Sequence, residues 1–131
     1  MTVVTTVDPT SGTYYAPTVL ADTHPGVAAF DEETFGPVAA IATAATDADL
    51  AALADASEYG LGLSIWTADT ARGVRLARSI TSGAVFVNAV VASDPRLPFG
   101  GTRRSGHGRE LATAGIREFT TVRTYWVARG A

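Results

Sequence analysis

The amino-acid sequence predicts an α/β fold in which a mostly parallel sheet is flanked by helices. Strand-like and helix-like segments alternate along the chain in the order strand, helix, strand, helix, strand. Connections of this kind favour right-handed crossovers between parallel strands. The chain has 131 residues, of which 47% are hydrophobic and 18% are charged, and this balance is typical of one globular domain rather than a disordered chain.

The first half of the chain carries local signals for each element. Residues 1–11 are rich in threonine and indicate a short strand or tail followed by a turn. Residues 14–20 are rich in aromatic and β-branched side chains, which is typical of a strand, although Pro17 restricts that strand to an edge or splits it. Residues 25–30 predict one or two helical turns. Residues 38–43 predict a buried strand.

Two longer helices are predicted in the middle of the chain. Thr46 begins the first, with Asp49 three residues later in the spacing of a capping box, and a glycine cap in residues 59–62 ends it. Asp69 is the predicted N-cap of the second, which extends to Ile80. The residues expected to face inward on this second helix are Val74, Ala77 and Ile80.

The remaining elements follow in order. Residues 63–67 alternate and predict a strand, and residues 84–87 predict the next buried strand. Further along, residues 110–114 and 116–119 predict two helical pieces broken at Gly115. A final strand over residues 120–127 closes the chain.

Residues 94–111 form the most informative segment of the sequence. They combine glycines, prolines and four arginines, so they cannot form a regular helix or strand. Loops this long in a small domain are usually functional or disordered. We interpret this one as an ordered loop that carries a site. Asn88, at the end of the preceding strand, is expected to bind loop backbone.

Composition excludes several classes of function. The net charge of −3 argues against a nucleic-acid surface, and no apolar run approaches the roughly 18 residues of a membrane span. The first residues lack the pattern of a secretory signal, so we expect a cytoplasmic location. The absence of Cys excludes a thiol nucleophile in this chain, and the absence of Lys excludes Schiff-base chemistry. His24 and His107 lack metal-ligand spacing, so no metal site is predicted.

Two motifs resemble signatures of the aldehyde dehydrogenase family. The run Pro98-Phe99-Gly100-Gly101-x-Arg103-x-Ser105-Gly106-x-Gly108-Arg109-Glu110 resembles that family's C-terminal signature, in which Arg103 is usually Lys. Residues 31–38 resemble its E-E-x-F-G-P-V motif. The segments 59–63, 66–67 and 83–88 follow the family's order and spacing. The resemblance covers roughly residues 12 to 128 and is nearest to bacterial succinate-semialdehyde dehydrogenases.

The resemblance implies two cofactor-binding residues. Glu33 would accept the hydroxyls of a ribose, and Phe35 would pack against the nicotinamide of NAD or NADP. The residues alone leave another interpretation open, in which Glu33 is a solvated carboxylate at a helix end and Phe35 belongs to the core. The choice between NAD and NADP is not predicted, because it belongs to a nucleotide-binding domain that the resemblance places upstream of residue 1.

The resemblance also implies substrate-pocket residues. Phe99 would stand at the mouth of the aldehyde pocket, and Ser93 would bind the distal carboxylate of the substrate. Glu110 would take part in a proton path to the general base. Without the resemblance, Ser93 is a turn serine and Glu110 a carboxylate that favours a helix N-terminus through the helix dipole.

These roles amount to part of an enzyme. Residues 1–119 would form the C-terminal part of an aldehyde dehydrogenase catalytic domain, and residues 120–131 an oligomerisation strand and tail. No residue of the chain is assigned as catalytic, and no G-x-G-x-x-G fingerprint is present. We therefore expect no activity and no tight cofactor binding from the chain alone. Its expected partners are copies of itself or another aldehyde dehydrogenase chain. Two alternatives remain: an interaction module, and a remnant of a truncated gene.

Overall fold

The computed structural model describes residues 2–5, 12 and 15–130, with side chains from residue 12 onward. The chain divides into two compact units, Met1–Glu58 with Asp69–Thr81, and Tyr59–Ala68 with Ser82–Ala131. The strands are β1 (Thr2–Thr5), β2 (Thr18–Ala21), β3 (Val38–Ala40), β4 (Gly62–Ile65) and β5 (Ala84–Val87). The helices are α1 (Ala28–Asp31), α2 (Asp47–Asp55), α3 (Thr70–Ala77) and α4 (Ala112–Glu118), with a 3-10 turn at Arg103–Ser105.

The first unit contains a three-stranded sheet in the order β1-β2-β3. Strand β2 runs parallel to β3, with Thr18 opposite Val38, and antiparallel to β1. Helix α1 connects the two parallel strands. Parallel strands joined through a helix confirm the predicted α/β class. Residue 14, the first of the predicted second strand, lies outside the described residues.

Helices α2 and α3 begin where the capping residues predict. The Thr46 hydroxyl accepts a hydrogen bond from the backbone N–H of Asp49 at 3.1 Å and donates to the Asp49 carboxylate at 2.7 Å. The Asp69 carboxylate accepts from the backbone N–H of Arg72 at 2.9 Å. Each cap satisfies an N–H that the helix itself leaves without a partner.

The predicted helix ends and inward face are corrected by the structure. Helix α2 ends at Asp55 through Ala56 in right-handed geometry, with no glycine cap. Helix α3 ends at Ala77 and buries Gly73 and Leu76, whereas Val74 is 41% exposed. The apolar pattern missed this face because Gly73 contributes no hydrophobic side chain to it.

The second unit contains the parallel pair β4 and β5, with Gly62 opposite Ala84 and Ile65 opposite Val87. Both strands are confirmed, but burial is less than predicted. Val85 of β5 is 38% exposed, and in the first unit β3 and Ile41 are largely exposed. A sheet of two or three strands leaves its edges and faces open, because side chains are covered only where a further layer packs on them.

The C-terminal part differs most from prediction. Helix α4 is continuous through Gly115 and begins after Glu110, so the predicted break and the earlier start were wrong. Gly115 is buried, and it must be glycine because a Cβ there would lie 2.9 Å from the Glu110 carbonyl carbon. Residues 120–130 are exposed and form no strand with any other segment that the structure describes. None of the described helices is long and apolar enough to cross a bilayer.

Candidate functional site

The loop of residues 94–111 has a defined backbone path. The Asp94 carboxylate accepts from the backbone N–H of Arg96 at 2.9 Å, and the Leu97 N–H donates to the Asp94 carbonyl at 2.9 Å. These two bonds close a tight turn around Pro95. The 3-10 turn at Arg103–Ser105 follows. The predicted ordered loop is therefore confirmed.

The two ends of the loop are bonded to each other. Phe99 and Glu110 form an antiparallel bridge in which each N–H donates to the other's carbonyl, at 2.9 and 2.8 Å. The Ala112 N–H donates to the Pro95 carbonyl at 3.1 Å. Glu110 therefore sits in an extended bridge beside Phe99. This corrects the prediction that Glu110 lies in the first turn of a helix.

Gly60 anchors the glycine-rich part of the loop to the start of the sheet. Its carbonyl accepts from the N–H of Gly83 at 3.0 Å, from the N–H of Thr102 at 2.9 Å and from the Thr102 hydroxyl at 3.2 Å. Its own N–H donates to the Ser105 hydroxyl at 3.0 Å. The sequence predicted a helix cap here and missed this role, for which the family spacing around Gly60 was the only signal.

Two further contacts hold the glycines of the loop. The Arg109 guanidinium donates from Nη1 to the carbonyls of Gly101, at 2.7 Å, and Gly108, at 2.9 Å, and so ties the two ends of the turn together. Gly83 must be glycine, because a Cβ there would overlap the Gly100 carbonyl oxygen. Close backbone approach thus explains these glycines.

Phe99 borders two clefts of the second unit. The larger cleft has a volume of about 660 Å³ and is also lined by Glu110, Arg109 and Glu118. The smaller has a volume of about 250 Å³ and is also lined by Asp94. Phe99 is half-buried between them. The size of the larger cleft falls within the range of small-molecule sites.

Ser93 lies at the edge of this arrangement. Its neighbours Ala92 and Asp94 both line the smaller cleft, whereas Ser93 itself is exposed and lines neither cleft. The structure therefore brings Phe99 and Glu110 into direct contact and leaves Ser93 on the rim beside the turn at Asp94.

Glu33 and Phe35 belong to the first unit, on the loop between α1 and β3. Phe35 is 79% exposed and has φ of +42°, followed by Gly36 with φ of +93°. A non-glycine residue in the left-handed region is uncommon and strained. Phe35 is therefore not a core residue, which excludes that part of the alternative interpretation, whereas the part that makes Glu33 a solvated carboxylate at a helix end agrees with the structure. Glu33 is exposed on the same loop, just beyond the end of α1.

Asn88 binds backbone as predicted, but the backbone belongs to Thr67, just after β4, and not to the loop of residues 94–111. Asn88 ends β5 with φ of +56°, and its side-chain carbonyl accepts from the N–H of Thr67 at 2.8 Å. The adjacent Ala89 carbonyl accepts from the Ser64 hydroxyl at 2.9 Å. These bonds fix the direction in which the chain leaves the sheet.

Two exposed ion pairs shift the acidity of their carboxylates. Hydrogen bonds from the Arg96 side chain hold the pKa of Asp94 below its ordinary value, and those from Arg72 do the same for Asp47. The described residues include no group of three or more side chains placed to hold a metal ion.

Comparison with known proteins finds relatives over most of the chain, including this loop. The aldehyde dehydrogenase family profile matches residues 2–125. A protein of Mycobacterium tuberculosis (strain H37Rv) named NADP(+) succinate-semialdehyde dehydrogenase 1 is 44% identical over 117 residues, which are 89% of this chain and 26% of that protein. A probable NADP(+) succinate-semialdehyde dehydrogenase of Synechocystis is 46% identical over 117 residues, with the same coverage of 89% and 26%.

Solved structures agree in fold. A Mycobacterium tuberculosis aldehyde dehydrogenase complexed with NAD+ matches with a TM-score of 0.79 and 41% identity, over 84% of this chain and 23% of that one. An NAD-dependent aldehyde dehydrogenase from Sinorhizobium meliloti matches with a TM-score of 0.77 and 40% identity, over 81% and 21%. The chain thus spans about a quarter of the length of the curated relatives it matches. It belongs to the aldehyde dehydrogenase family.

Proposed function

We propose that the chain is a C-terminal portion of an NAD(P)-dependent aldehyde dehydrogenase that oxidises succinate semialdehyde to the acid. The observation that carries this proposal is the hydrogen-bonded pair of Phe99 and Glu110 beside a cleft of about 660 Å³. It occurs in a chain 44% identical to a succinate-semialdehyde dehydrogenase. We further propose that the protein acts in the cytoplasm and that the chain is inactive without the remaining parts of the enzyme.

Aldehyde oxidation of this kind needs a thiolate to attack the carbonyl and a base to activate water. NAD or NADP supplies the hydride acceptor when bound. This chain contains no Cys, so a thiolate must come from another part of the enzyme. The chain's own contribution is to bind the cofactor, to shape the aldehyde pocket and to carry a proton.

The loop at Phe35 fits a nicotinamide cofactor. The Phe35 ring is exposed, and the strained left-handed backbone at Phe35, followed by Gly36, keeps the ring at the surface of the loop, where a cofactor could pack against it. A flat aromatic surface suits the face of a nicotinamide, and the exposed Glu33 carboxylate suits the hydroxyls of a ribose. In this proposal both residues orient the cofactor.

The second unit supplies the substrate side. Phe99 forms a rigid wall, because the bridge to Glu110 fixes its backbone. Ser93, on the exposed rim, donates its hydroxyl to the distal carboxylate of succinate semialdehyde. Glu110 lines the larger cleft and passes a proton between solvent and the general base.

A chimera tests the substrate assignment. This chain replaces the matching segment of the Mycobacterium tuberculosis relative, and kcat/KM is measured for succinate semialdehyde and for butanal, which lacks the carboxylate. The Ser93→Ala chimera should lose about tenfold in kcat/KM for succinate semialdehyde, the value of one hydrogen bond to a charged group, and little for butanal. The Ser79→Ala chimera is the control. Equal losses for both aldehydes would exclude carboxylate recognition by Ser93.

A second candidate function is an interaction module. Phe119, Val122 and Trp126 are 95%, 95% and 88% exposed, and residues 120–130 have no strand partner among the described residues. An unpaired apolar segment of this kind is a candidate for β pairing with another dehydrogenase chain or a second copy. Co-purification with a full-length aldehyde dehydrogenase would support this role, and a monodisperse monomer at high concentration would count against it.

A further inference from the structure

The Asp94 carboxylate accepts several hydrogen bonds from a single residue, Arg96. Three groups of Arg96 donate to it: the backbone N–H at 2.9 Å, Nε at 2.9 and 3.3 Å to the two oxygens, and Nη2 at 2.6 Å. The Asp94 side chain is 30% exposed and lines the smaller cleft, whereas that of Arg96 is 86% exposed. Because one donor is backbone, the carboxylate fixes the shape of the turn as well as pairing with a charge.

The turn fixed by Asp94 carries the Pro95 carbonyl, which accepts from the Ala112 N–H. Ala112 and the preceding Leu111 have φ of +49° and +65°, in the left-handed region that non-glycine residues rarely adopt. Strained residues of this kind persist only where surrounding contacts hold them. The bond to Pro95 is such a contact, and it lies two residues beyond Glu110.

Three backbone bonds therefore connect residues 95–99, which contain part of the turn and the residues that follow it, to residues 110–112. Two are the reciprocal bonds of Phe99 with Glu110, and the third joins Ala112 to Pro95. We propose that Asp94 is a positioning residue: by fixing the turn of residues 94–97, it holds Phe99 and Glu110 at their places on the cleft wall. The effect of Asp94 on catalysis rests on the proposed function. Its effect on the backbone bonds of Phe99, Glu110 and Ala112 does not.

Amide hydrogen exchange of the 131-residue chain tests the coupling directly. In Asp94→Ala, the amides of Phe99, Glu110 and Ala112 should exchange about tenfold faster, because the turn would no longer oppose the local opening that exposes them. The Asn88 amide, which bonds the Ile65 carbonyl in the same unit, should be unchanged. Asp94→Asn keeps an acceptor for the Arg96 N–H and should give an intermediate effect.

The first unit offers a control pair of the same chemistry. Arg72 donates to the Asp47 carboxylate from Nε, at 3.1 and 3.0 Å to the two oxygens, and from Nη2. The Asp47 side chain is 48% exposed. Asp47→Ala removes a comparable pair and should leave the exchange of Phe99, Glu110 and Ala112 unchanged. The proposal is overturned if these amides are unprotected in the unmodified chain. An equal acceleration of the Asn88 amide in Asp94→Ala, which indicates general destabilisation, overturns it as well.

A kinetic readout separates positioning from the proposed function. In the chimera, Asp94→Ala should lower kcat for succinate semialdehyde about tenfold, because Glu110 would be misplaced for proton transfer. It should also raise KM, because Phe99 would be displaced from the pocket wall. A rise in KM with constant kcat would contradict the positioning role in catalysis. A parent chimera that fails to oxidise succinate semialdehyde would count against the proposed function, and the exchange result would still decide the coupling.

Discussion

Thr18 and Thr23 are both buried in the first unit, yet only Thr18 has a hydrogen-bonded hydroxyl. The Thr18 hydroxyl donates to the Ala16 carbonyl at 2.8 Å, whereas that of Thr23 has no partner among the described residues. A buried hydroxyl without a partner costs free energy that a methyl group does not. Thr23→Val should therefore raise the free energy of unfolding by ~1 kcal/mol. Urea unfolding measures this change.

Thr18→Val is the matched control for that prediction. It removes a hydroxyl whose hydrogen bond is made, so it should lower the free energy of unfolding by ~1 kcal/mol. If both valine variants shifted stability in the same direction and by the same amount, the assignment of Thr23 as the hydroxyl without a partner would be wrong.

At Ala112, substitution by glycine should change the free energy of unfolding in a direction that the backbone geometry predicts. Its φ of +49° is strained for alanine and free for glycine. Ala112→Gly should raise the free energy of unfolding by ~1 kcal/mol, as judged by chemical denaturation. Ala114→Gly, in the interior of the same helix, should lower it by ~1 kcal/mol. A loss in both variants would show that Ala112 carries no strain.

Sequence reasoning at this scale succeeded where the chemistry was local. Thr46 and Asp69 were predicted as caps because their partners lie three residues away. Gly60 was misassigned because its partners, Gly83, Thr102 and Ser105, are distant in the sequence. The left-handed geometry of Leu111 and Ala112 has no sequence signal, since neither residue type favours it.

At the scale of elements, helices α2 and α3 are joined by the ion pair of Asp47 and Arg72. The hydrogen bonds from Arg72 lower the pKa of Asp47, so the pair stabilises the fold above the unfolded pKa of Asp47. That contribution is lost as the pH falls through the lowered pKa. The raised pKa of Arg72 lies too high to add a second transition in the working range.

Arg72→Gln should therefore flatten the acid part of the stability profile. Thermal unfolding between about pH 2 and pH 5 should show a smaller loss in the variant than in the parent chain, because Asp47 then titrates near its unfolded pKa. The difference should shrink in about 1 M salt, since the pair is exposed and screened. An identical acid loss in both proteins would exclude a stabilising role for the pair.

Element types were predictable, while their ends and burial were not. Strands β4 and β5 were found because their apolar pattern is short and bounded by turn residues. The burial predicted for β3 and β5 assumed covering layers that two small sheets do not provide. Helix α4 was split in the prediction because Gly115 suggested a break, although the glycine is required by its contact with Glu110.

At the scale of the whole molecule, the exposure of large apolar side chains is the dominant feature. Ala16, Ile65 and Leu76 are the buried hydrophobic residues among those described, whereas Trp66 and Trp126 are 65% and 88% exposed. Large exposed apolar patches are candidate surfaces for contact with another polypeptide. This agrees with a chain that spans about a quarter of its relatives' length.

The family could be predicted from the sequence because its motifs are contiguous. The assembly of Phe99, Glu110 and Asp94 could not be, since it depends on backbone bonds across the loop. The resemblance implied that residues 120–127 form a strand. A strand needs a second strand to bond with its backbone N–H and C=O groups. The role of this segment in oligomerisation stays a prediction.

The most direct test of the central claim is the rate of NADH or NADPH formation by the purified 131-residue chain with succinate semialdehyde. Because the chain has no Cys, it should form no more product than a mock purification and should hold no covalent aldehyde adduct by mass spectrometry. Turnover that scales with chain concentration after contaminating dehydrogenase is removed, or an aldehyde adduct on one of its side chains, would contradict the account.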